Sequence, residues 1–202
     1  SKYGEKAQPG DVIFLDIAGE KSNTPDGKIT DADKTKIGKG MPDWTFGLSL
    51  GADWKGFDLN LFFQGTAGND VFDFSQRGDI QAMNRPSWML DRWIGEGTSN
   101  KIPRMAAVNP NRNWRSSDLY IKDGSYVRLK TIQLGYSLPT SLLEKASLQR
   151  LRLFVTAENL FTFTSYDGFD PEIAAGDYFN IGVDKGIYPQ SRTISVGANL
   201  TF

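Results

Sequence analysis

Five segments of the chain alternate apolar and polar residues with a period of two, as a β-strand with one apolar and one polar face does. In the last of them, RTISVGANLTF, the apolar residues Ile194, Val196, Leu200 and Phe202 share one side. The pattern predicts strands at about 43–52, 57–65, 125–138, 150–163 and 192–202. These segments indicate an all-β fold.

The connections between the five segments alternate between short and long. Residues 53–56 and about 139–149 are short, whereas residues 1–42, about 66–124 and about 164–190 are long. In an up-and-down antiparallel sheet, all the long loops then lie at one end. Transmembrane β-barrels of the bacterial outer membrane show this asymmetry, with short periplasmic turns and long extracellular loops.

The segment SYVRLKTIQLGYSLP contains a row that changes character along its length. Every second residue from Ile132 to Leu138 is apolar. The preceding residues at the same spacing are polar: Tyr126, Arg128 and Lys130. We expect this row to pass from a polar into an apolar medium. Aromatic residues at the ends of such rows are expected to form interfacial girdles. They are Trp44, Trp54, Phe57, Phe63, Phe161 and Phe163.

Composition excludes several classes of function. The chain has no cysteine and no histidine, which removes imidazole and thiolate metal sites, cysteine nucleophiles and the Ser-His-Asp triad. The formal net charge of −1 argues against a nucleic-acid partner.

Alternation by itself leaves other all-β architectures open. A secreted β-sandwich that binds glycans also alternates, and a β-rich hydrolase is a third candidate. The loop asymmetry and the in-register terminal Phe202 favour a membrane barrel. Five strands cannot close around a lumen, so we expect the chain to be one piece of a larger barrel.

Six blocks, taken in order, resemble the C-terminal end of SusC/RagA-type TonB-dependent outer-membrane transporters of the Bacteroidetes. The blocks are PGDVIFLDIAG, IGKGMPDWTFGLSLGADWKGFDLNLFFQGTAGNDVF, RWIGEGTSNKIPR, SDLYIKDGSYVRLKTIQLGYSLP, LRLFVTAENLFTFTSYDGFDPE and YPQSRTISVGANLTF. Together they cover nearly the whole chain.

The resemblance implies the last five antiparallel strands of a 22-stranded transmembrane β-barrel with long extracellular loops, without the plug domain. It implies a non-enzymatic importer of oligosaccharides or peptides, embedded in outer-membrane lipid. A SusD-type surface lipoprotein would cover the barrel mouth, and the TonB complex would act through the absent plug. Phe202 resembles the aromatic end that the barrel-assembly machinery reads.

Two groups of residues are candidate sites. Aromatic and cationic side chains in the long loops are candidates for contact with substrate or lipoprotein: Trp88, Arg92, Trp93, Trp114, Arg115 and Tyr166. Polar residues on the strands are expected to face the lumen: Asp58, Asn60, Gln64, Arg152 and Glu158.

Acidic residues of the loops are the remaining candidates. The first loop resembles a calcium loop through Asp16, Asp26, Gly27, Asp31 and Asp33, although EKSNTP interrupts the compact spacing that calcium ligands need. A solvated loop is the alternative reading. In the third loop we expect the acids to be solvated rather than catalytic: Asp167, Asp170, Glu172, Asp177 and Asp184.

Overall fold

The structure, a computed structural model, describes residues 7–20, 23–75, 84–106, 111–144, 148–173 and 180–202. It divides into two compact units, one of residues 1–37 and 75–120 and the other of residues 38–74 and 121–202. Within the described ranges, no helix has the length and apolar character needed to cross a membrane.

The described residues contain eight strands, all in the second unit. They are β1 (Trp44–Trp54), β2 (Phe57–Ala67), β3 (Asp70–Asp73), β4 (Ile121–Asp123), β5 (Tyr126–Ser137), β6 (Arg150–Thr164), β7 (Val183–Asp184) and β8 (Thr193–Thr201). Helical structure in these ranges is limited to α1 (Thr140–Leu143) and the 3-10 turns Asp31–Asp33, Ser87–Asp91 and Asp118–Tyr120.

Five of the strands form one antiparallel sheet in the order β1-β2-β5-β6-β8. The order in the sheet follows the order in the chain, so the sheet is an up-and-down meander. The predicted all-β fold with five antiparallel strands is therefore confirmed.

The hairpin of β1 and β2 depends on a two-residue turn. Lys55 and Gly56 separate the strands, with φ of 49° and 88°. Two successive residues with positive φ are the requirement of a type I′ turn, whose twist matches that of the paired strands. The alternating sequence and this turn together fix the register of the hairpin.

A β-bulge at Lys130 interrupts the regular pairing of β5. Thr131 lies opposite Phe62 of β2, but Leu129 lies opposite Phe63, so Lys130 is an extra residue in the ladder. The pairing of β5 with β6 shifts at the same place. An extra residue of this kind reverses the phase of the side chains that precede it.

The bulge decides which face each residue before it occupies. Val127 and Leu129 continue the apolar row, whereas Tyr126 and Arg128 fall on the opposite, polar face. The prediction that Tyr126, Arg128 and Lys130 continue the apolar row is wrong, because it assumed an unbroken period of two.

The two faces of the five-stranded sheet differ in chemistry. Leu134, Val155 and Val196 lie side by side on the apolar face, and 50%, 44% and 80% of their surfaces are exposed. A β-sandwich packs such a face against a second sheet. Among the described residues no second sheet covers this face, which argues against the sandwich considered as the alternative.

A smaller sheet is built from the long loops. β3 pairs antiparallel with β4 and parallel with β7, in the order β4-β3-β7. Val71 of β3 is 1% exposed, and it is one of the most buried apolar residues in the described part of the chain. The loops of the second unit therefore have a core of their own.

Candidate functional site

The five residues predicted to face a lumen all lie on the polar face of the five-stranded sheet. Their positions follow from the strand register: Asp58, Asn60, Gln64, Arg152 and Glu158. Each alternates with an apolar residue on the other face. The strand period therefore brings them onto one surface.

An ion pair crosses this polar face above β5. Arg152 of β6 donates from Nε to Asp58 Oδ1 at 2.8 Å and from one terminal nitrogen to Asp58 Oδ2 at 2.5 Å. Asp58 lies on β2, so the pair spans β5, where Gly135 stands opposite Asp58. A side-chain carbon at Gly135 would collide with both charged groups. Glycine is needed there because of this close approach.

The pair continues into a short polar network. Arg152 also donates to Gln133 Oε1 at 3.0 Å, and Gln133 Nε2 donates to Thr156 Oγ1 at 2.9 Å. An open cleft of about 420 Å³ adjoins the pair near the β1–β2 turn, and its lining includes Lys55 and Arg150. This end of the polar face thus presents fixed charges of both signs.

At the other end of the sheet, a charged cluster joins the polar face to the third long loop. Arg128 is 3% exposed and Asp170 is 6% exposed. Arg128 donates to Asp170 Oδ1 at 2.5 Å and to Glu172 Oε2 at 2.7 Å. Burial alone would raise the pKa of Asp170, but hydrogen bonds from Arg128 and from the backbone of Gln190 and Glu172 hold it below its ordinary value.

A second buried contact involves Tyr166, which sequence analysis singled out for ligand contact. The ring is 6% exposed, and its hydroxyl donates to Asp184 Oδ2 at 2.5 Å. Burial raises the pKa of Tyr166, and the hydrogen bond to Asp184 raises it further. Little of Tyr166 is left for an external ligand, so its contacts lie within the chain.

The expectation that the acids of the third loop are solvated is wrong for two of them. Asp170 and Asp184 are buried, because Asp170 pairs with Arg128 of β5 and Asp184 accepts a hydrogen bond from the buried Tyr166 hydroxyl. Asp167 is exposed but pairs with Lys122 at 2.6 Å. Asp177 lies outside the described residues.

The first unit contains the other aromatic candidates and a cavity of about 600 Å³. Trp93 lines this cavity together with residues 10–13 and 99–103. The Trp93 ring packs against Gly10, where a side-chain carbon would collide with it. The Trp93 backbone nitrogen donates to Ile102 O at 2.9 Å.

An ion pair supports the wall of this cavity. Arg104 Nε donates to Asp11 Oδ1 at 2.7 Å, and Asn113 Nδ2 donates to the same oxygen at 2.9 Å. Burial would raise the pKa of Asp11, but the Arg104 and Asn113 hydrogen bonds hold it below its ordinary value. The cavity is therefore bounded by side chains that are fixed in place.

The remaining four loop candidates have distinct surroundings. Trp88 lies half-buried in the turn Ser87–Asp91, and Arg92 donates to Met89 O at 3.3 Å. Trp114 is 42% exposed, which makes it the most accessible of the candidate tryptophans. The Arg115 guanidinium lies 4.9 Å from the centre of the Phe14 ring.

The calcium-like carboxylates bind backbone N–H groups of their own loop. Asp33 accepts from Ile17 at 2.8 Å, from Ala18 at 3.1 Å and from Thr30 at 2.7 Å. These three backbone hydrogen bonds, led by that from Thr30, lower the pKa of Asp33. Asp33 therefore organises the loop through backbone hydrogen bonds.

Two of the other calcium candidates have similar local roles. Asp26 accepts from the Lys28 backbone at 3.0 Å, and Asp31 pairs with Lys34 at 3.1 Å. In the part of the chain that the structure describes, no three acidic side chains are grouped so that they could hold a metal ion.

Comparison with curated proteins gives extended matches to TonB-dependent receptors. TonB-dependent receptor P3 of Formosa agariphila is 38% identical over 204 residues, which cover 97% of this chain and 19% of the relative. TonB-dependent receptor SusC of Bacteroides thetaiotaomicron is 26% identical over 205 residues, 99% of this chain and 18% of the relative. No family model matches the sequence.

Solved structures give the same grouping. The RagAB peptide importer in its closed-closed state superposes with a TM-score of 0.70 at 28% identity, covering 92% of this chain and 20% of that chain. The relatives are named as receptors and as an importer, not as enzymes. This chain, which spans about a fifth of their length, belongs to the SusC/RagA-type TonB-dependent receptors of the outer membrane.

Proposed function

We propose that this chain forms the C-terminal part of the wall of a 22-stranded outer-membrane barrel that imports oligosaccharides or peptides. One observation carries the proposal: a five-stranded meander exposes an apolar face on one side and a polar, charged face on the other. A barrel wall needs both surfaces, because lipid contacts the outside and water fills the lumen.

The proposed orientation follows from the connections. The chain leaves the sheet after β2 and after β6, and re-enters it at β5 and at β8, at one end of the sheet, whereas the β1–β2 turn lies at the other end. We assign the long loops to the extracellular side. Trp44 and Trp54 end β1 on the apolar face and are 73% and 68% exposed, as aromatic girdle residues would be.

The spacing of these two tryptophans suits a membrane. The two tryptophans are ten positions apart. This corresponds to about 33 Å along a strand and roughly 25 Å across the bilayer at the usual barrel tilt. The apolar band of a bacterial outer-membrane barrel has about this height. Phe202, which is 80% exposed, would mark the periplasmic end and serve as the assembly signal.

The proposed partners act at the two ends. A SusD-type surface lipoprotein would close over the extracellular loops, with Trp114 and the Trp93 cavity as candidate contacts. The TonB complex would act through the plug domain, on the periplasmic side. Similarity to the RagAB peptide importer supports this arrangement.

The polar face would serve the passage of polar solutes. Carboxylate, guanidinium and amide groups at Asp58, Arg152 and Gln133 can exchange hydrogen bonds with sugar hydroxyls or peptide groups. The apolar face, in contact with lipid, would keep the wall in the membrane.

The test uses the full-length receptor in its own bacterium. The receptor gene is deleted, and uptake of a defined set of labelled peptides and a defined set of labelled oligosaccharides is measured with and without a protonophore. We expect one of the two classes to be lost on deletion and to be lost equally when the proton gradient collapses. We also expect the tagged receptor to co-purify from the outer membrane with a lipoprotein.

Two results would contradict the proposal. A receptor that fractionates with soluble proteins would overturn the membrane assignment. Unchanged uptake of both solute classes after deletion would overturn the import function.

A further inference from the structure

The charged cluster at Arg128 lies on the polar face and not at the rim of the sheet. The bulge at Lys130 places Arg128 on the same side as Thr162, which stands opposite it on β6. Arg128 Nε donates to Thr162 Oγ1 at 2.8 Å. The guanidinium is therefore fixed across two strands, over the surface that faces the lumen in the proposed barrel.

Two carboxylates of the third loop cover this guanidinium. Asp170 and Glu172 each accept a hydrogen bond from Arg128. Lys130 Nζ donates to both Glu172 oxygens, at 2.8 Å and 2.7 Å. Two cations and two anions balance one another in this cluster, so both the buried Asp170 and the partly buried Glu172 have a partner.

The loop is tied at further points, so the cluster holds a defined segment. Asp170 accepts backbone N–H groups of Glu172 at 2.9 Å and of Gln190 at 2.8 Å. One carboxylate therefore joins the early and the late part of the loop. The Tyr166–Asp184 hydrogen bond adds a second internal tie.

A third tie connects this loop to the small sheet. Lys122 Nζ lies 2.9 Å from Asp73 Oδ2 and 2.6 Å from Asp167 Oδ1. Burial would lower the pKa of Lys122, but the hydrogen bonds that it donates to Asp167 and Asp73 raise it above its ordinary value. The lysine therefore remains charged and keeps its two partners.

The positions of the anchors show how far the loop extends over the sheet. β5 begins at Tyr126, so Arg128 and Lys130 are two and four residues along the strand. At about 3.3 Å per residue, these positions are roughly 7 and 13 Å from the end of the strand. A loop that only continued the strands outward would not need anchors there.

We propose that residues 165–173 form an inward strap that narrows the transport path along this wall, with Arg128 and Lys130 as the positioning residues that hold it. The inference rests on the proposed barrel orientation, in which the polar face lines the lumen. The strap takes up part of the passage on the extracellular side. It thereby limits the size of the oligosaccharide or peptide that can pass this wall.

The test measures access to a cysteine beside the anchor. Gln64 lies opposite Arg128 on β2, and the 202-residue chain has no cysteine of its own. In full-length receptor freed of any cysteine elsewhere, Gln64→Cys is reacted in whole cells with a membrane-impermeant maleimide. We expect the double variant Arg128→Met, Lys130→Met to raise the labelling rate about tenfold, because local opening governs access to a covered site.

Two matched controls accompany this measurement. Thr193→Cys lies on the polar face of β8, which is separated from β5 by β6, and its labelling rate should be equal in both backgrounds. Lys130→Arg keeps the positive charge and should keep Gln64→Cys protected. Glu172→Gln loosens the same cluster from the loop side and should give an intermediate labelling rate of Gln64→Cys. It replaces the double variant if that variant fails to assemble.

The outcomes test the proposed strap and the proposed import function independently. Equal labelling of Gln64→Cys with and without the anchors, in assembled receptor, would overturn the strap. Uptake of a size series of the imported solute is measured in parallel, and we expect the anchor variants to admit larger members. Absence of uptake in the unmodified receptor would instead overturn the proposed function.

Discussion

Gly135 provides the space in which the Asp58–Arg152 pair crosses β5. In Gly135→Ala, the added methyl group would occupy the position of both charged groups and separate them. We expect a lower thermal unfolding temperature for the detergent-purified receptor. It is measured by incubating samples at increasing temperatures and following the loss of the compact, faster-migrating form on gels.

The matched control lies on the same face. In Gly47→Ala, the added carbon would meet the Phe62 ring at 3.4 Å, which is an ordinary contact. This variant should unfold close to the unmodified receptor. Equal effects of the two substitutions would show that the ion pair above Gly135 contributes nothing to stability.

At the level of elements, the bulge at Lys130 sets the side on which the start of β5 presents its charges. Inserting one alanine between Arg128 and Leu129 shifts the residues before it by one position and turns Arg128 toward the apolar face. The buried pair of Arg128 with Asp170 would be lost, at a cost of about 3–5 kcal/mol. We expect little assembled receptor in outer-membrane fractions on immunoblotting.

A substitution in the bulge distinguishes the reversal of phase from the loss of a charge. Lys130→Ala leaves the strand register unchanged and removes the contact with Glu172. It should assemble nearly as well as the unmodified receptor. If the insertion and the substitution reduced assembly equally, the reversal of phase would not be the cause.

The bulge also shows how far the sequence determines the fold. The alternation in RTISVGANLTF and in β1 assigns each residue to one face without ambiguity, and both segments form strands. In SYVRLKTIQLG, the aliphatic residues change from odd positions (Val127, Leu129) to even positions (Ile132, Leu134), and this change was the local sign of the bulge. The two-residue strand β7 is too short to show any period.

The candidate site was predictable to a similar extent. Alternation along single strands is enough to place Asp58 and Arg152 on one face. The burial of Asp170 depends on Arg128, which lies 42 residues away in sequence, and no local pattern reports such a contact. The cations Arg128 and Lys130 on β5 and the acids of the third long loop were the available signal.

For the whole molecule, the two faces of the sheet make opposite demands on a charged residue. Val155 lies in the middle of the apolar face and Thr156 follows it on the polar face. Val155→Arg should destabilise the receptor by about 2–4 kcal/mol, since it places a charge near the bilayer midplane. Urea unfolding of the receptor in lipid vesicles measures this difference.

Thr156→Arg serves as the neighbouring control and should be tolerated, because its side chain would lie on the polar side. Equal destabilisation by the two arginines would mean that both faces meet the same medium. The barrel orientation would then be wrong.

The neutral, buried cluster at Arg128 has a consequence for the conditions in which the receptor works. Mobile salt ions screen exposed pairs such as Lys34–Asp31, but they screen a pair with 4% and 5% exposed side chains, as in Arg128 and Asp170, far less. The attachment of the strap should therefore be nearly independent of ionic strength. A receptor built in this way would keep the same aperture in dilute and in saline surroundings.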